Sequence, residues 1–118
     1  MSKYTRVKLD NIINESGMVE VEGIPKGLAS HRRKFLDSLI RSGPIFWTAI
    51  IGDGKLLAKR SRWRSLQNDT HYSALLYASQ TGVPVVFQGK LSKDLQGNPL
   101  LDVQAYKVKE IKTYGFEE

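Results

Sequence analysis

Short stretches in which apolar and polar residues alternate, each closed by a glycine-containing turn, restrict the folds open to this chain more than any other feature. Met18-Val19-Glu20-Val21-Glu22-Gly23-Ile24 sets Val19 and Val21 on one face and Glu20 and Glu22 on the other, the period of a half-buried strand. Ile45–Ile51 is an apolar run rich in β-formers, Gly52-Asp53-Gly54 reads as a hairpin turn, and Lys55–Trp63 returns as the partner strand. Val83–Leu91 and Leu100 to about Ile111 make a second hairpin across a turn at Ser92–Asn98. In that last strand Leu101, Val103 and Ala105 alternate with Asp102, Gln104 and Tyr106. Val108 and Ile111 fall out of phase, which predicts a bulge near Lys107. Tyr4–Ile13 reads as one more strand, turned into the next at Asn14-Glu15-Ser16-Gly17.

Two segments carry the helical period instead. Leu28, Phe35, Leu36, Leu39 and Ile40 form one apolar stripe and predict a helix over Leu28–Ser42, ended by Gly43-Pro44. Asn68 or Asp69 can cap a helix over Thr70–Gln80, with Tyr72, Leu75, Leu76 and Ser79 on one side and Gly82 at its C-terminal stop. The chain is therefore mainly β with two helices. Roughly 50 strand-like residues are too few for two full sheets, so a small closed or partly open barrel is the economical architecture. Another α+β arrangement is the alternative. Residues 1–118 read as a single domain, with 113–118 as a flexible tail.

Charge is distributed unevenly. The formal net charge is +6. Residues 26–64 hold ten basic side chains against Asp37 and Asp53, a local +8, while the flanking segments are each −1. Such an excess attracts polyanions and releases their counterions. The duller alternative is a solvated basic face.

The second half of the chain resembles an OB-fold, the small Greek-key barrel that binds oligonucleotides and oligosaccharides. The helix Thr70–Gln80 leading into VPVVFQGKLSKDLQGNPLLDVQAYKVKEI is similar in pattern to the helix and closing hairpin of single-strand-binding proteins and of synthetase anticodon-binding domains. The resemblance spans about residues 45–112 and rests on hydrophobic pattern. The helix near 28–42 departs from it, as an insertion or as the mark of a different fold. The resemblance implies that nucleic acid lies across the outer face of the second and third strands, here Ile45–Ile51 and Lys55–Trp63, inside the basic segment.

Alternation assigns the faces. Thr48 is the polar member of the Phe46, Thr48, Ile50 set, so that set faces outward, with Trp47 in the core. Leu56 and Ala58 point in; Lys55, Leu57, Lys59, Ser61 and Trp63 point out. Candidate nucleic-acid contacts are thus Phe46, Lys55, Lys59 and Trp63, the last with little apolar company among Lys59, Arg60, Arg62 and Arg64. Aromatic faces stack on bases and lysines follow phosphates. Arg60, Arg62 and Arg64 cannot be buried unpaired, so the strand ends or bulges near Arg60 and presents their guanidiniums to phosphate oxygens. Lys90 and Lys93 flank the last hairpin turn, Tyr106 sits outward on the last strand, and Arg32 and Arg33 add a basic run on the first helix.

Other chemistries lack their residues. There is no cysteine, and the two histidines, His31 and His71, form no ligand pattern, so neither a metal nor another cofactor is expected. Gly52-Asp53-Gly54 lacks the lysine and following helix of a phosphate loop, and carboxylates are sparse in the basic segment. The expectation is a non-catalytic binding protein for a single strand of DNA or RNA, with self-association or a protein partner as further options. The alternative is an adaptor whose helix 28–42 and strand 55–64 dock an acidic partner. No apolar run approaches the roughly 20 residues of a membrane helix, and the first residues lack a leader's apolar stretch, so a cytoplasmic protein without a membrane partner is expected.

Overall fold

The computed structural model describes residues 3–31, 46–60 and 72–108. They build a seven-stranded mixed sheet from β1 (Thr5–Arg6), β2 (Gly17–Gly23), β3 (Pro25–His31), β4 (Phe46–Ile51), β5 (Leu56–Arg60), β6 (Val85–Lys93) and β7 (Pro99–Val108). A 3₁₀ helix, Leu9–Asn14, precedes β2, and an α-helix, α1 (Tyr72–Thr81), precedes β6. The strand order is β1-β2-β6-β7-β5-β4-β3. β1–β2 and β5–β7 are parallel; the other neighbours are antiparallel.

This order forces the sheet to curl. β2 and β3 stand five strand steps apart, which in a flat sheet is about 24 Å. Yet Ile24 alone separates them in sequence, and two residues span at most about 7 Å. The hydrogen-bonded ladder nevertheless stays open among the described residues, since β3 pairs with β4 and β2 with β1 and β6.

The inside of the curl is aromatic. Trp47 and Phe87 are fully buried and Tyr72 nearly so. Trp47 meets Tyr72 and Phe87 with ring centroids 6.5 Å away and Tyr106 edge-on at 5.8 Å. Offset and edge-on contacts of this kind suit the ring quadrupoles. Around them pack Val19, Val21, Ala49, Ile51, Leu56, Ala58, Leu75, Val85 and Leu101.

Several expectations are corrected. Tyr4–Ile13 is not one strand: after the two residues of β1 the chain turns into the 3₁₀ helix, with Ile12 buried and Ile13 exposed. Asp10, Asn11 and Asn14 favour local turns over a ladder. Leu28 to His31 are not helical. They belong to β3, where Gly27 takes a positive φ of 57° and one extra residue bulges between Lys26 and Ala29. That conformation suits glycine and breaks a helix start, while β4 supplies ladder partners. The remainder of that expected helix, 32–42, lies outside the described residues, as do residues 109–111 and the expected tail 113–118.

α1 buries Tyr72, Leu75 and Ala78, so Leu76, expected on the same side, is exposed. Gly82 closes the helix as expected, with φ 78° and its N–H donating to the Ala78 carbonyl at 2.9 Å. The bulge in β7 falls at Gln104, not near Lys107: Gln88 pairs with Ala105, but Gly89 pairs with Val103. Its effect is a phase switch, which turns Ala105 outward and Tyr106 toward the core. Opposite the bulge, a side chain at Gly89 would run into the Asp102 carbonyl, so the position takes glycine.

Candidate nucleic-acid interface

The β4–β5 hairpin is built as alternation requires. Trp47, Ala49, Ile51, Leu56 and Ala58 are buried, while Thr48, Ile50, Leu57 and Lys59 lie on the outer side. Its turn uses left-handed backbone at Gly52, Asp53 and Gly54, with φ 66°, 58° and 91°, the conformation that two glycines and an aspartate tolerate. Register places Thr48 beside Lys59 and Ile50 beside Leu57, and on β3 sets Ala29 beside Thr48 and Lys26 beside Ile50. The outer surface is therefore a row Lys26–Ile50–Leu57 next to a row Ala29–Thr48–Lys59. Ile50 and Leu57 are 42% and 39% exposed, large values for adjacent aliphatic side chains in mid-sheet.

The cations on and beside this hairpin are not equivalent. Lys55 Nζ donates to Asp10 Oδ1 at 2.6 Å, a contact that holds the lysine above its ordinary pKa and the carboxyl below its own. Lys26 approaches Asp53 at 3.8 Å. Lys59 makes no ion pair among the described residues, although Asp102 of β7 is its cross-strand neighbour. Arg60 is the last residue of β5, half-buried and already engaged.

The other candidates are scattered. Lys90 and Lys93 are exposed on β6, with β7 between them and β5. Tyr106, expected outward, instead packs its ring against Trp47 and Phe87. Phe46 is placed by its backbone, opposite His31. Arg32, Arg33, Arg62, Trp63 and Arg64 lie outside the described residues. The outward Lys26 was missed because residues 25–31 do not alternate like a strand. Asp10 was missed because its partner is 45 residues away.

A second outer region, on β1, β2, β6 and β7, has a different character. Arg6 donates to Glu20 and Glu22, both at 2.8 Å, and Gln88 Nε2 donates to Glu20 at 2.7 Å. Gln88 and then Arg6 hold the Glu20 carboxyl below its ordinary range, and the carboxylates in turn hold Arg6 above its own. Arg6, Glu20 and Gln88 line an open groove of about 380 Å³ with Val86, Ala105, Tyr106 and Lys107. Among the described residues no cluster of three or more His, Asp or Glu side chains is placed to hold a metal ion. No described helix is long and apolar enough to cross a membrane.

No protein-family model matches the chain, and no curated protein sequence matches it. Its fold does match a solved structure. The chain is similar to part of a crystal structure assigned to an aspartyl-tRNA synthetase from Leishmania major Friedlin, with a TM-score of 0.51 and 11% identity. The likeness covers 92% of this chain and 21% of that one, so the chain spans about a fifth of its neighbour's length. At this identity the match concerns the fold.

Proposed function

We propose that residues 1–118 form one non-catalytic OB-type domain that binds a single strand of DNA or RNA on the outer face of β4 and β5. The observation that carries this reading is the hairpin itself. It lies inside the +8 segment of the sequence and holds Lys59 outward beside exposed Ile50 and Leu57. A single strand offers phosphates to the lysine and unstacked base faces to the aliphatic pair. A duplex offers phosphates but keeps its base faces stacked. Two further features support the reading. One bent strand serves both margins of an OB barrel, a part that β2 and β3, joined at Ile24, would play here. The neighbour in fold also bears a name that includes tRNA.

The exposure of Ile50 and Leu57 also favours a second reading, an adaptor that docks an acidic protein segment on the same face. Fluorescence anisotropy with labelled single-stranded DNA, single-stranded RNA and duplex DNA, from low to moderate salt, separates the two. Binding of a single strand at micromolar concentration or below, weakening steeply with salt, is the expected result. No binding of any strand at low salt turns the face into a protein-docking surface.

A further inference from the structure

We propose that Asp10, on the 3₁₀ helix, shields the turn end of the β4–β5 hairpin, so that a polyanion is gripped at the Lys59 end and not at Lys55. The inference rests on the nucleic-acid reading above and assigns its cation contacts.

The 3₁₀ helix is seated against the hairpin turn. A side chain on Gly52 would stand 2.8 Å from Leu9 Cδ1, so the glycine leaves the hollow that Leu9 fills. This seating brings Asp10 to Lys55 at 2.6 Å. Lys55, and to a smaller extent Lys8, favours the charged form of the Asp10 carboxyl. On the same end Asp53 faces Lys26. A phosphate that came to this end would have to displace a carboxylate from Lys55 or from Lys26 on β3 and would meet its repulsion.

The opposite end differs: Lys59 makes no ion pair among the described residues, and its cross-strand neighbour Asp102 is half-buried and already engaged. Lys59 lies four positions beyond Lys55, about 13 Å along a strand's rise. That exceeds the screening length of roughly 8 Å at physiological salt. At that salt the carboxylates of one end are largely screened from the cation of the other. Beyond Lys59 the sequence continues through Arg60, Arg62 and Arg64.

The test is the salt dependence of single-stranded DNA binding, read by anisotropy with a fluorescein-labelled oligonucleotide and the full chain. Each phosphate contact on a single strand contributes about 0.7 to the slope of log affinity on log salt, or about fivefold between 1 M and 0.1 M. Lys59→Ala is expected to lower the slope by about that amount, and Lys55→Ala by less than half of it. Asp10→Asn is expected to raise the slope, and adding Lys55→Ala to it should return the slope to the parent value. Thermal unfolding checks that Asp10→Asn folds, with Asp10→Ser as the second variant. Equal losses from Lys55→Ala and Lys59→Ala in the parent background overturn the proposal, whatever the Asp10 variants do. So does an unchanged slope in a folded Asp10 variant. A parent chain that binds no single strand at low salt instead removes the nucleic-acid reading, and the shield with it.

Discussion

The two outer regions of the curled sheet use similar residues to opposite effect. On β1, β2 and β6, Arg6, Glu20, Glu22 and Gln88 satisfy one another at 2.7–2.8 Å. On β4 and β5, Lys59 points outward with no ion pair among the described residues, beside exposed Ile50 and Leu57. A surface whose charges are matched internally has little left to offer a partner, whereas a lysine such as Lys59, beside aliphatic groups, keeps its charge available even though Lys26 and Lys55 nearby are paired. The proposed binding role is the one that rests on the β3–β4–β5 surface. Exposed ion pairs stabilise little, so the difference concerns binding far more than folding.

The largest expected effect acts beneath both regions. Trp47→Ala removes the ring shared by the aromatic cluster and should cost about 3–5 kcal/mol, read as a fall in the denaturant midpoint. A smaller loss would mean that Tyr72, Phe87 and Tyr106 close the cavity. Gly89→Ala forces β6 and β7 apart at the bulge and should cost about 1–3 kcal/mol. If it is neutral, the close approach to Asp102 is not a constraint on the fold.

Arg6→Ala unmatches Glu20 and Glu22, yet these are surface groups, so the stability change should stay within about 1 kcal/mol. A larger loss would show that the matched region is structural rather than merely quiet. Leu57→Ser should change stability by no more than about 0.5 kcal/mol while weakening single-strand binding without altering its salt slope. A change in slope would mean that Leu57 positions a cation rather than contacting bases.

The smallest effect is in pH. The Glu20 carboxyl is held below its ordinary value of 4.5 by Gln88 and Arg6. Its contribution is present above that value and is lost as pH falls below it and through the folded-state pKa. Glu20→Gln should therefore flatten the acid limb of the stability profile, measured by thermal melts between neutral and acid pH. A steeper limb would contradict the assignment.

Much of the β4–β5 surface was legible because its signals are local. Thr48, the polar member of its set, fixed the phase of β4; Gly52-Asp53-Gly54 fixed the turn; Gly82 fixed the end of α1. β3 was not legible, because Leu28 falls in step with an apolar stripe farther along, while the bulge at Gly27 and the pairing with β4 decide its conformation. The β7 phase switch was misplaced because Ala105 is small enough for either face. Gly89, isolated within β6, was the available signal for it, since glycine in a strand often marks a bulge. The pairing of Lys55 with Asp10 had no local signal, since only the folded chain brings the two together.

The pairing of β2 with β6 joins Gly17 to Leu91, and this bears on how the protein comes off the ribosome. β2 is synthesised early, but its ladder partner follows only after some seventy more residues. Until then its edge is open to any extended chain nearby, and closing so long a loop is slow. A truncated product ending at α1 would keep the β4–β5 hairpin yet leave β2 without β6. Nascent chains stalled in that interval are where association with the wrong strand is to be expected.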